Sequence, residues 1–233
     1  MPDFQIPEAL LEKTKSGLNH YQVVRIIRCV EDYIDLNFPQ FKGRACSQTA
    51  VFVAEALRAE GLSPTLYGGK MAILEAYASK ENDPMASWTG HFNPDSFHAW
   101  VVLGEEIIDI TTPTLADQPT FGFRILDIPY IWYDTSKGNA ALFWYFIHNE
   151  LKLKSEEQFL VDSFRSFYES YERDPSKIIA PRSYVMWDID AFYEQSHRPG
   201  SWSSIALNFK HKYRESYPPL LQGLINLCSG PSK

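Results

Sequence analysis

The chain has 233 residues, with 22 Lys and Arg against 29 Asp and Glu and a formal charge of -7. An apolar share of 45% is ordinary for a globular chain, and the length supports a substantial core in one large domain. The acidic balance excludes a nonspecific nucleic-acid binder, which needs surplus Lys and Arg to neutralise phosphates. The three cysteines, Cys29, Cys46 and Cys228, are too few and too far apart for a disulfide framework or a CxxC zinc site.

Asp3, Glu8 and Glu12 interrupt the opening before any long apolar run, unlike an export signal, and no eighteen apolar residues run together. The expected location is a reducing cytoplasm, away from membranes. Pro7 at the front of residues 6–16 predicts a short first helix. Asn19 followed by Gln22 fits a capping box, and Val23, Ile26, Ile27, Val30, Tyr33 and Ile34 then recur at helical spacing. Residues 20–36 are therefore expected to be a core-facing helix, with Cys29 packed inside and Pro39 ending the element.

A loop over 41–45 leads into a second helix. Ala50, Val53, Ala54 and Leu57 share its face, and Gly61 closes it near residue 60. Residues 63–67 read as a short strand stopped by Gly68-Gly69. The stretch 71–77 fits strand or helix equally, and 80–95, rich in turn formers, reads as loop. Residues 97–103 and 107–111 form two strands around the tight turn Gly104-Glu105. Residues 124–131 are a further strand candidate, and 140–153 favours helix. Ser155 with Gln158 resembles a capping box for a helix reaching Glu172. Short helices are expected at 183–194, 201–216 and 219–228. The whole, residues 1–233, reads as a single α+β domain. Its core covers about 20–135, and an aromatic-rich, mainly helical part covers about 136–233.

Cys46 stands where a glycine-containing loop enters a helix. The N–H groups of a helix start are unpaired and the helix field there favours negative charge, so a thiolate is stabilised. The same N–H groups can receive the oxyanion that forms when sulfur attacks a carbonyl. Such a nucleophile needs an imidazole and a group to orient it. His98 opens one hairpin strand, and Asp109 interrupts Ile107, Ile108 and Ile110 on the other. A hairpin about Gly104-Glu105 sets residues whose numbers sum to about 207 or 209 opposite each other. The first register pairs His98 with Asp109 directly.

Gly43-Arg44-Ala45-Cys46 with its helix, then His98-Ala99-Trp100-Val101-Val102, then Ile107-Ile108-Asp109-Ile110-Thr111 resemble the transglutaminase-like branch of the papain-like cysteine proteases. The resemblance covers about residues 40–115. It implies a helix packed on an antiparallel sheet, with Cys46 as nucleophile, His98 as base and Asp109 as orienting acid. Gln40 lies six residues before Cys46, the spacing of the oxyanion-hole Gln in papain-like proteases. Trp100 takes the place of the aromatic that the family often carries near the nucleophile or on the His strand, and is read as substrate-binding. Ser47-Gln48 follows Cys46 where these folds usually have Trp, so the substrate class does not carry over.

The expected function is hydrolysis of an amide, in a peptide or small molecule, through an acyl-enzyme and without a cofactor or metal. Acyl transfer of transglutaminase type is the alternative, and a non-catalytic peptide- or protein-binding module on the same fold is the rival from another class. His91, Asp95 and His98 match no standard zinc spacing. There is no GxSxG elbow, no GxGxxG and no complete phosphate loop at Gly68-Gly69-Lys70.

Overall fold

A computed structural model describes residues 10–41, 45–78, 84–91, 96–117, 130–137, 143–153, 157–171 and 185–186. Helix α1 spans His20–Asn37 and opens with the expected capping box: Asn19 Oδ1 accepts from Gln22 N at 2.8 Å, and Gln22 Oε1 accepts from Asn19 N at 2.9 Å. Two otherwise orphaned donors are thereby satisfied. Its apolar stripe, including Val23, Ile26, Ile27, Val30 and Tyr33, is buried, as is Cys29. Helix α2 spans Cys46–Ala59. Small side chains at Ala50, Ala54 and Ala56 are buried there and let it approach its neighbours closely. It packs on a strand of the sheet and lies against α1 and against α3, which spans Gln158–Glu169. Where the helices meet, Phe52 stacks on Phe164 at 4.8 Å and meets Tyr33 edge-on at 5.0 Å, the offset and T-shaped geometries that aromatic quadrupoles favour.

Among the described residues the sheet has seven strands: β1 Thr65–Ala78, β2 Pro84–His91, β3 His98–Leu103, β4 Glu106–Asp109, β5 Tyr130–Asp134, β6 Phe143–Glu150 and β7 Val185–Met186. All pairings are antiparallel except β5 with β7. The long β1 organises it. Residues 65–69 pair with β3 and residues 71–78 with β2, while residues 67–73 also pair with β6. Strands β2 and β3 therefore lie end to end along one edge of β1, and β6 takes the other. From β3 the sheet continues through β4 and β5 to β7. The chain is thus α+β, with helices packed on a mainly antiparallel sheet.

Several expectations need correction. Leu10 is in a 3-10 turn and residues 11–17 form turns and an isolated bridge between Lys13 and Asn19, so the expected first helix does not run over 11–16; its residues 6–9 lie outside the described residues. Gly68-Gly69 does not stop a strand; β1 runs through it. A Cβ at Gly69 would collide with the Phe146 carbonyl oxygen across the bulged pairing with β6, and one at Gly68 with the Phe97 ring just ahead of β3, so both glycines mark close approach to β1. Half of the loop expected at 80–95, residues 84–91, is β2, paired with β1, and residues 80–83 and 92–95 lie outside the described residues. Residues 143–150 form β6, not a helix, because β1 offers an open edge. Helix α3 has Glu157 at its N-cap with no side-chain cap bond, and Ser155 lies outside the described residues. Val185–Met186 is strand within the expected helix at 183–194. Of the strand expected at 124–131 only its end, in β5, is described, and the helices at 201–216 and 219–228 lie outside the described residues. Among the described residues no helix is long and apolar enough to cross a membrane.

Candidate active site

Strands β3 and β4 pair Val101 with Ile108, Val102 with Ile107 and Leu103 with Glu106, a register whose numbers sum to 209. Continued along the hairpin, it sets Trp100 opposite Asp109 and His98 opposite Thr111. Residues 98, 100, 109 and 111 then share one face, and His98 reaches Asp109 along the diagonal rather than straight across. The diagonal is short enough: His98 Nε2 lies 2.6 Å from Asp109 Oδ2. Both residues are almost wholly removed from solvent, His98 at 0% and Asp109 at 2% exposure.

A buried carboxylate is tolerated only when its lone pairs are satisfied, and those of Asp109 are. Oδ1 accepts from Thr111 N at 3.0 Å and from the Thr111 hydroxyl at 2.6 Å, while Oδ2 accepts from His98 and from the Tyr145 hydroxyl at 3.0 Å. Burial pushes its pKa up, but the His98 charge and hydrogen bond, with Thr111, outweigh that and hold the carboxyl below its ordinary range. Thr111 was legible in principle, since an Asp bonding the N–H two residues on is a common local turn. Tyr145 was hidden by the helical reading of 140–153.

Cys46 is the first residue of α2. Its N-cap, Ala45, has no side chain to occupy the free N–H groups, and the first turn carries no acidic residue. The residue is partly exposed. Burial raises its pKa, but a hydrogen bond with His98, the His98 charge and the Ala99 N–H together bring it below the ordinary thiol value. With Nε2 on Asp109, Nδ1 is the ring nitrogen left for sulfur. For His98, burial works against the charged form, yet Asp109 first and Cys46 second lift the imidazole to about 10. The arrangement favours thiolate beside imidazolium beside carboxylate at neutral pH. Cys29 is its opposite: desolvation pushes that thiol up to about 12.

Trp100, expected to touch substrate, is only 1% exposed. It stacks on His98 with centroids 6.2 Å apart and meets the Tyr145 ring at a tilt, 5.0 Å away. Gln40 is exposed on the 3-10 turn Pro39–Phe41 that follows α1. Gly43 and Arg44 of the loop before Cys46 lie outside the described residues, as do Asp95 and Cys228. Among the described residues, no group of three or more His, Cys, Asp and Glu is placed to hold a metal. A cavity of about 310 Å³ between α2, α3 and residues 151–153 is lined by Val51, Phe97, Leu151 and Leu160, and none of Cys46, His98 and Asp109 lines it.

No family model matches the chain. No curated protein matches it either. One solved chain, described only as a genomics crystal structure, is similar at a TM-score of 0.34 and 13% identity, covering 73% of this chain and 84% of that one.

Proposed function

We propose that the chain is a cysteine-dependent amide hydrolase built on a papain-like core of the transglutaminase-like branch. The observation that supports this best is a carboxylate with every lone pair used, 2.6 Å from a buried imidazole that in turn lowers the pKa of a thiol at a helix start. The Cys46 thiolate attacks the substrate carbonyl carbon, and the resulting oxyanion is received by N–H groups at the start of α2. His98, charged through Asp109, gives its proton to the leaving nitrogen as the C–N bond breaks. An acyl thioester on Cys46 remains. Neutral His98 then takes a proton from water, the hydroxide adds to the thioester, and the C–S bond breaks to release a carboxylic acid. Asp109 touches no reacting atom; it holds the ring and its charge.

The test is to expose the folded protein to a panel of amides and activated esters and read the intact mass of trapped intermediates. An acyl adduct confined to Cys46, with Cys29 unmodified because its thiol is held near 12, is the expected result. A Cys46→Ala variant that turns over the same substrates at the original rate overturns the proposal.

A further inference from the structure

Tyr145 sits on β6, far in sequence from Cys46, His98 and Asp109, and reaches them only because β6 pairs with β1 across the bulge at Gly68-Gly69. Its register partner there is Met71, itself fully buried. The Tyr145 hydroxyl donates at 3.0 Å to Asp109 Oδ2, the same oxygen that accepts from His98 Nε2 at 2.6 Å. The Tyr145 ring lies 5.0 Å from Trp100 and 6.5 Å from His98. One carboxylate oxygen is thus shared between a neutral donor and the catalytic ring.

We propose that Tyr145 is a positioning residue that sets how tightly Asp109 holds the His98 proton; the inference rests on the function proposed above. Two donors compete for one oxygen. Each draws negative charge toward itself, so the phenol weakens the pull of the carboxylate on the imidazolium. A general acid held too tightly gives up its proton slowly. Asp109 keeps His98 charged in the resting enzyme, and Tyr145 leaves it able to release its proton to a leaving nitrogen. Desolvation and the neighbouring Asp109 charge raise the Tyr145 hydroxyl well above its ordinary value, so it remains a donor throughout the working range. The ionisable groups that act on this oxygen are His98 on β3, Tyr145 on β6 and, through His98, Cys46 on α2; Thr111 supplies neutral donors to the other oxygen.

The experiment compares Tyr145→Phe with the unaltered protein by the rate of iodoacetamide alkylation at Cys46 across pH, read by peptide mass. The profile of the unaltered protein rises as the thiolate forms and changes again when the imidazolium is lost. Removing the hydroxyl leaves Asp109 with more charge for His98, so the upper limb moves to higher pH by about half a unit or more. A ring-fluorinated tyrosine at position 145 is a stronger donor and moves the same limb downward, which separates tuning from damage to the fold. A residue that only packs would leave the limb in place in both variants, and that result overturns the inference. If the unaltered protein itself shows no enhanced Cys46 reactivity, the proposed function fails instead.

Discussion

Replacing Asp109 with Asn keeps the shape of the side chain and removes its charge, so it isolates what the carboxylate does. Burial alone would depress the His98 imidazole, and Asp109 is the largest influence lifting it to about 10. Without that charge the ring is a buried neutral group, and Cys46 loses the cation that lowers its thiol. Asp109 also acts directly on Cys46 in the opposite sense, but this is the smallest of the influences on the thiol. At the ordinary cysteine value of about 8.5, the thiolate fraction at pH 6 is about 0.3%. Iodoacetamide alkylation of Cys46 at pH 6 should therefore fall in Asp109→Asn, by up to about 300-fold where the unaltered thiol is fully ionised. The new amide also presents a donor where Thr111 or Tyr145 already donates, a mismatch that costs about 1–3 kcal/mol. Thermal melting checks that the variant is folded. An alkylation profile superimposed on that of the unaltered protein, in a folded variant, would refute the electrostatic reasoning.

Three further outcomes are expected. Gly69→Ala places a Cβ against the Phe146 carbonyl and should destabilise the protein by about 1–3 kcal/mol in urea unfolding while moving the upper limb of the Cys46 alkylation profile in the same direction as Tyr145→Phe, because β6 carries Tyr145. Asn19→Ala removes half of the α1 capping box and should cost about 1 kcal/mol in melting experiments, with Cys46 alkylation unchanged. The pair also ties stability to pH. His98 binds its proton more tightly folded than unfolded, so its contribution is full below about 6.5, declines above that and is gone once pH passes about 10. Asp109 contributes above its unfolded value of 3.8 and loses that contribution as pH falls through its lower folded value. The stability difference between the unaltered protein and His98→Gln should shrink from pH 6 to pH 10, and a constant difference over that range would count against a charged His98.

What was legible in the sequence was local. The α1 capping box, the apolar stripes of α1 and α2, and the β3–β4 hairpin are written in residues a few positions apart, and each appears where the spacing put it. The contact between His98 and Asp109 was also expected, though by a different route. The hairpin adopts the other of its two registers, and the pair meets because residues two apart on adjacent strands share a face. Elements that depend on a distant partner were not legible. Residues 143–150 carry no alternation strong enough to announce a strand, and only the free edge of β1 makes them one. Gly68-Gly69 looks like a strand stop until β6 is seen lying against it. Tyr145 followed both errors out of sight. The resting place of Trp100 was hidden as well: whether an aromatic on a strand meets substrate or core depends on which face the sheet covers, and here it is covered.

The central claim is that Cys46, His98 and Asp109 ionise as one unit. Ring-nitrogen NMR of His98 at pH 8, in the unaltered protein and after alkylation of Cys46, addresses it most directly. An imidazolium at pH 8 whose proton affinity drops once the sulfur is capped is the expected result. A neutral His98 ring at pH 8, indifferent to the state of Cys46, would contradict the account.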